Sequence, residues 1–99
     1  MPAKRALIMH PADNVATAVE EIAVGDEVHI PVAKEFRSLT AAEAIPFGFK
    51  IALEDIPGGA RIVKYGETIG KASAPIGKGT LVHVHNLEGT RARGDLAGR

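Results

Sequence analysis

Ile56-Pro57-Gly58-Gly59-Ala60-Arg61-Ile62 carries the pattern that decides the fold: an isoleucine, a glycine three residues later, and a β-branched residue three after that. The spacing recurs at Ile22, Gly25 and Val28, and again at Ile76, Gly79 and Val82. An isoleucine that packs inward, a turn needing the positive φ that glycine tolerates, and re-entry into a strand account for each copy. Short strands joined by repeated tight turns make a compact folded ribbon, so the pattern predicts a mainly β domain. It concerns architecture and carries no chemistry.

Ahead of the first copy, Ala6-Leu7-Ile8-Met9 reads as a short buried strand stopped by Pro11, which cannot donate to a ladder. Asp13 and Asn14 then offer helix N-cap chemistry. Val15, Ala18, Val19 and Ile22 fall at helical spacing, with Glu20 and Glu21 outside and Gly25 as a stop. These residues predict one short N-terminal helix. Residues 1–86 are expected to form a single domain. From Leu87 the chain turns polar and rich in Gly and Arg, so residues 87–99 are expected to be a flexible tail or a linker to a partner.

With 99 residues the chain suits one domain. Twelve Lys and Arg balance twelve Asp and Glu, so no net field exists to draw it onto nucleic acid or an anionic membrane. The absence of cysteine removes disulfides, thiolate nucleophiles and thiolate metal sites. The apolar run near the start is too short for a signal peptide or a membrane span, and a cytoplasmic location is the expectation.

The candidates for chemistry are histidines and their neighbours. His83 and His85 lie two apart in Thr80-Leu81-Val82-His83-Val84-His85, which reads as a strand. Residues two apart on a strand share a face, so both imidazoles would point the same way and could converge on one metal or one anion. The same spacing also fits an exposed polar face. His10 precedes the proposed helix start at Asp13 and Asn14, whose free N–H groups would favour an anion. His10, His83 and His85 are therefore the candidate metal ligands, and Asp13, Asn14 and Lys64 the candidate substrate contacts. Lys64 and Tyr65 stand before Gly66 at a strand end, where a cation and a phenol could position an acid; packing and solvation are the plainer alternatives. His29 reads as solvent-facing.

Four segments, His10-Pro11-Ala12-Asp13-Asn14-Val15-Ala16, Ile51-Ala52-Leu53-Glu54-Asp55-Ile56, Ile62-Val63-Lys64-Tyr65-Gly66-Glu67-Thr68-Ile69-Gly70 and Val82-His83-Val84-His85-Asn86, occur in that order. Together they resemble the N-terminal SAF-type domain of the altronate and galactarate dehydratase family, over roughly residues 7 to 95. The resemblance implies a β-clip fold. It also implies a role as the small subunit of a lyase that expels water from sugar acids or, in a related branch, sulfite from sulfolactate. A divalent metal, iron(II) or manganese(II), would serve the complete complex. Most of the catalytic apparatus, including the base, would come from a large catalytic subunit of the same family. The small chain would not act alone, and self-association is expected when its partner is missing. One departure stands out: the family reads Gly-His-Lys where this chain has Gly48-Phe49-Lys50. Phe49 cannot ligate a metal or move a proton. That difference keeps a second reading open, a non-catalytic carbohydrate-acid-binding or scaffolding SAF domain.

Overall fold

The computed structural model describes residues 3–32 and 35–89. Their strands are β1 (Lys4–Leu7), β2 (Val15–Ala18), β3 (Glu27–Val32), β4 (Glu35–Thr40), β5 (Lys50–Ala52), β6 (Arg61–Lys64), β7 (Glu67–Ala72), β8 (Leu81–Val82) and β9 (Leu87–Glu88). Six form a mixed sheet in the order β4-β3-β1-β2-β5-β8, in which β1 runs parallel to β3 and the other pairs are antiparallel. The other three form an antiparallel sheet, β6-β7-β9.

The Ile and Gly pattern is the frame of this fold, and it occurs once more than the sequence suggested, at Ile45, Gly48 and Ile51. Gly25, Gly48, Gly59 and Gly79 have φ between 85° and 89°. In each copy the residue after the glycine donates its N–H to a carbonyl three residues back, as Ala60 does to Pro57 and Phe49 to Pro46. That is the hydrogen bond of a type II turn, whose third position requires positive φ. The glycine N–H groups donate to Ala41, Ala18, Ala72 and Ala52, each a buried alanine on another segment. A side chain no larger than a methyl lets turn and strand cross closely. The four isoleucines pair in two antiparallel bridges, Ile22 with Ile45 and Ile56 with Ile76. Two clusters result. Ile22, Ile45, Ile51, Leu53, Val28 and Ile30 anchor one, and Val15, Ile56, Ile62, Ile76 and Val82 the other.

The turn glycines are not equivalent. A Cβ on Gly59 would meet nothing within 4 Å, whereas a Cβ on Gly79 would lie 2.5 Å from the carbonyl oxygen of Thr40. Gly59→Ala is expected to cost about 1 kcal/mol, for the φ alone. Gly79→Ala should cost clearly more, because backbone must also move. Urea denaturation of the two variants measures this, and equal losses would contradict it.

The expected N-terminal helix is absent; the described residues contain no helix. Its proposed start is a turn closed by the Asp13 N–H on the His10 carbonyl, and the following residues form β2. Strand β2 is central, with β1 on one side and β5 on the other. Val15 packs into one cluster, Ala16 and Ala18 into the other. A strand buried on both faces shows no simple alternation, which is how helical spacing arose by coincidence. The β-branched residues Val15 and Thr17 favour the strand.

The expected strand through His83 and His85 is also shorter than the alternation implied: β8 ends at Val82, and residues 84–86 form a turn. The Asn86 side chain imposes it, accepting from the His83 N–H and donating to the Leu81 carbonyl. Beyond it, Leu87 and Glu88 pair with β7, and Leu87 packs on the second cluster. The domain boundary expected after residue 86 falls just before this strand. Residues 90–99 of the expected tail lie outside the described residues.

Candidate functional site

The polar residues singled out from sequence gather mostly where the β1–β2 loop meets the β6–β7 hairpin. That hairpin turns on Tyr65 and Gly66, with φ of 59° and 72°, between the paired residues Lys64 and Glu67. Positive φ at both central positions is the type I′ geometry that suits the strand twist. Asn or Gly usually takes the first position, so Tyr65 sits in a conformation costly for a bulky side chain.

Asp13 holds it there. This carboxylate is 4% exposed and accepts the Met9 N–H at 3.0 Å and the Gly66 N–H at 2.8 Å. Burial alone would raise its pKa. Backbone N–H groups of Gly66, Met9, Tyr65 and His10 outweigh that and hold Asp13 below the ordinary carboxylate range. Asp13 is therefore a structural anion tying loop to hairpin, with its oxygens already engaged.

Asn14 is similarly occupied. Its amide donates to the Arg61 carbonyl and accepts from the Val63 N–H, while its own N–H donates to the Val63 carbonyl. It stands just before β2 and ties that end of the strand to β6, across the bulge between Ile62 and Val63. Neither Asp13 nor Asn14 caps a helix.

His10 lies over the same turn. A Cβ on Gly66 would come within 2.8 Å of the His10 ring, so only glycine leaves room for it. The imidazole Nδ1 accepts the Ala12 N–H at 3.0 Å, which in the neutral ring puts the proton on Nε2. His83 is elsewhere, half-buried against Phe49 with ring centroids 4.6 Å apart, and His85 is exposed on the turn. Among the described residues no group of three or more His, Asp or Glu is placed to hold a metal ion. The set His10, His83 and His85 does not form such a group within this chain, since the turn at Asn86 ends the strand that would have aligned two of them.

Lys64 does border a cavity. Its ammonium lies 4.8 Å from the centre of the Tyr65 ring, and the two residues line, with Glu67 and Ile69, a cleft of about 360 Å³. The sequence reading missed Lys50. It stands opposite Thr17 and Val82 in the central sheet, so its stem leaves on the face that carries Val82 and Ala52 into the second cluster. Burial, and then the nearby Lys64 charge, hold its pKa below the ordinary lysine range. The available signal was parity: Lys50 shares a strand face with the buried Ala52.

A small, mainly β domain with its polar residues drawn to the junction of two sheets is the class this geometry defines. The chain belongs to the family described as the altronate/galactarate dehydratase SAF domain, whose model matches residues 4–90. It is 41% identical to the altronate dehydratase of Escherichia coli (strain K12) over 79% of its own length but only 15% of that protein. It is 32% identical to the (2R)-sulfolactate sulfo-lyase subunit alpha of Chromohalobacter salexigens, over 85% of this chain and 94% of that subunit. With the corresponding subunit alpha of Paracoccus pantotrophus it shares 42% identity, over 58% of this chain and 84% of the relative. Among the described residues no helix is long and apolar enough to cross a membrane.

Proposed function

We propose that this protein is the small subunit of a lyase acting on sugar acids or related hydroxy acids, working in the cytoplasm beside a large catalytic subunit of the same family. The supporting observation is one of proportion. The chain matches about a seventh of an altronate dehydratase yet nearly the whole of a sulfo-lyase subunit alpha. A relative that this chain covers almost in full thus bears the name of a subunit, and a mainly β fold framed by paired isoleucine bridges is compatible with the β-clip expected of SAF domains.

In this reading the large subunit supplies the base that removes the proton beside the substrate carboxylate, and the β-substituent leaves as water or sulfite. The small subunit contributes cationic side chains and a rigid wall. A divalent iron or manganese ion serving the complete assembly would draw most of its ligands from the large subunit, because His10, His83 and His85 do not gather into one group. The alternative, a carbohydrate-acid-binding module without a lyase role, rests on Phe49 standing where the family reads histidine.

Co-expression tests the proposal. A tagged copy of this chain should co-purify with a large-domain protein of the family from the same cell, and the captured complex should release water or sulfite from a hydroxy acid. Capture of an inert complex would support the binding module; no capture would overturn the subunit reading.

Phe49 offers a separate check. Since its ring lies 4.6 Å from that of His83, Phe49→His would set two imidazoles side by side. Manganese(II) affinity of the isolated chain, measured calorimetrically, is expected to rise about tenfold or more over wild type. The gain should fade in acid, because only the neutral imidazole ligates a metal. Unchanged affinity would show that position 49 is not turned toward a ligand site.

A further inference from the structure

We propose that two copies of this chain join along the outer edge of β4, by antiparallel pairing about a two-fold axis through Phe36. The lyase-subunit reading leaves this surface unused, and the pairing does not depend on that reading.

Strand β4 ends the six-stranded sheet, so one of its sides has no neighbouring strand among the described residues. The turn that follows it fixes which residues face that side. Ala41 turns both backbone groups inward, its N–H donating to the Asp26 carbonyl and its carbonyl accepting from the Gly25 N–H. Ala42 does the opposite and donates outward to the Gly79 carbonyl. Backbone groups alternate in direction along an antiparallel strand, so Phe36, Ser38 and Thr40 point theirs outward. The Gly79 turn covers Thr40, since even a Cβ on Gly79 would lie 2.5 Å from the Thr40 carbonyl oxygen. The open stretch is therefore short, comprising Phe36 and Ser38 with the exposed Glu35 and Arg37 beside them. An open edge of this kind is a template for another strand.

Charge selects a second copy and a single register. Pairing about Phe36 sets each Phe36 opposite its equivalent and each Glu35 opposite its partner's Arg37, giving two ion pairs in one interface. A centre one residue earlier would oppose Glu35 to Glu35, and one residue later Arg37 to Arg37; like charges directly opposite are destabilising. A centre at Ser38 would need the outward groups of Thr40, which the Gly79 turn occupies. In the favoured register Glu35 and Arg37 make the closer kind of cross-strand pair, with Cα atoms about 4.5 Å apart, because their own backbone groups point back to β3. Among the described residues neither has an ion-pair partner; the ion pairs are His29 with Glu27 and Lys71 with Glu88. Arg37 reaches the Leu53 carbonyl at a long 3.4 Å.

The apolar surface agrees with this axis. Phe36 is 59% exposed, stands opposite Pro31 and stacks on His29 with ring centroids 4.5 Å apart. Leu7, two residues past the pairing of Arg5 with His29, lies beside Pro31 and is also exposed. The two-fold would extend this strip of Leu7, Pro31 and Phe36 into its copy, covering apolar surface that a free monomer leaves in water.

Sedimentation equilibrium of the full chain should show a monomer and dimer in exchange. Arg37→Glu and Glu35→Arg each place like charges opposite one another and should raise the dimer Kd about tenfold or more. Mixing the two variants, or combining both changes in one chain, puts opposite charges together again and should restore the dimer. Register is read separately, because the chain has no cysteine. In an oxidised glutathione buffer Phe36→Cys should give a disulfide-linked dimer, whereas the two copies of Ser38→Cys would lie too far apart to bond. Amide exchange at Phe36 and Ser38 should slow as concentration rises. A strict monomer, a dimer that the charge changes leave untouched, or one that mixing does not restore would overturn the interface. Slow exchange in the dilute monomer would show that the chain covers its own edge, and slowing only with a large-domain protein would give the edge to that partner; either result overturns the pairing of copies.

Discussion

Ile45→Ala is expected to destabilise the domain by about 2–5 kcal/mol, a large share of the roughly 5–15 kcal/mol that a small domain possesses. Ile45 is fully buried and exchanges backbone hydrogen bonds with Ile22 in both directions, at 2.8 and 2.9 Å. Its side chain helps close the first cluster where two type II turns face each other. Truncation would leave a cavity walled by backbone that these bonds hold in place, so little collapse can fill it. Ile45→Val should cost only about 0.5–1.5 kcal/mol. Urea denaturation gives both values. A loss from the alanine variant no greater than that from valine would show that the paired bridges do not frame the fold.

The second large effect belongs to Asp13. Asp13→Ala would leave at least the Met9 and Gly66 N–H groups without their acceptor, at about 1–3 kcal/mol for each buried donor. A total loss near 3 kcal/mol is expected, together with release of the Tyr65 turn. The pH dependence has a definite sign. Asp13 has a folded-state pKa below its ordinary value of 3.8, so its stabilisation is complete above that value. It disappears as pH falls from about 4 toward the lower folded-state pKa. Wild type should therefore lose stability over that acid window, and Asp13→Ala should lose less of it. Asp13→Asn should be intermediate, keeping an acceptor oxygen without the charge. Parallel stability curves for wild type and Asp13→Ala below pH 4 would contradict the role given to this carboxylate.

These two residues also show what the sequence could and could not reveal. The repeated isoleucine and glycine spacing exposed the β architecture, because a type II turn requires positive φ at a fixed position and the core requires an anchor before it. The copy at Ile45 has Phe47 and Phe49 flanking Gly48, where the other three copies carry no aromatic residue. In the fold Phe47 is 67% exposed at the turn. Asp13 and Asn14 carry chemistry that suits either a helix cap or a loop clamp, and local sequence cannot distinguish the two. The choice depends on β6 and the Gly66 turn, about 50 residues away in sequence. His83 and His85 satisfied strand alternation, but Asn86 closes a local turn with its own side chain, and turn chemistry prevailed over periodicity. Lys50 escaped notice because a single lysine among apolar neighbours has no motif. Only the register with Thr17 and Val82 shows which way it faces.

The most direct measurement of the central claim is a reconstitution titration. A fixed amount of the large-domain partner is mixed with rising amounts of this chain, and formation of the 2-oxo acid product, with sulfite where the substrate is a sulfonate, is followed. Negligible turnover is expected from either protein alone, with a rate that climbs to a plateau at a defined ratio of the two. Full turnover by the large protein without this chain, or by this chain without the large protein, would contradict it.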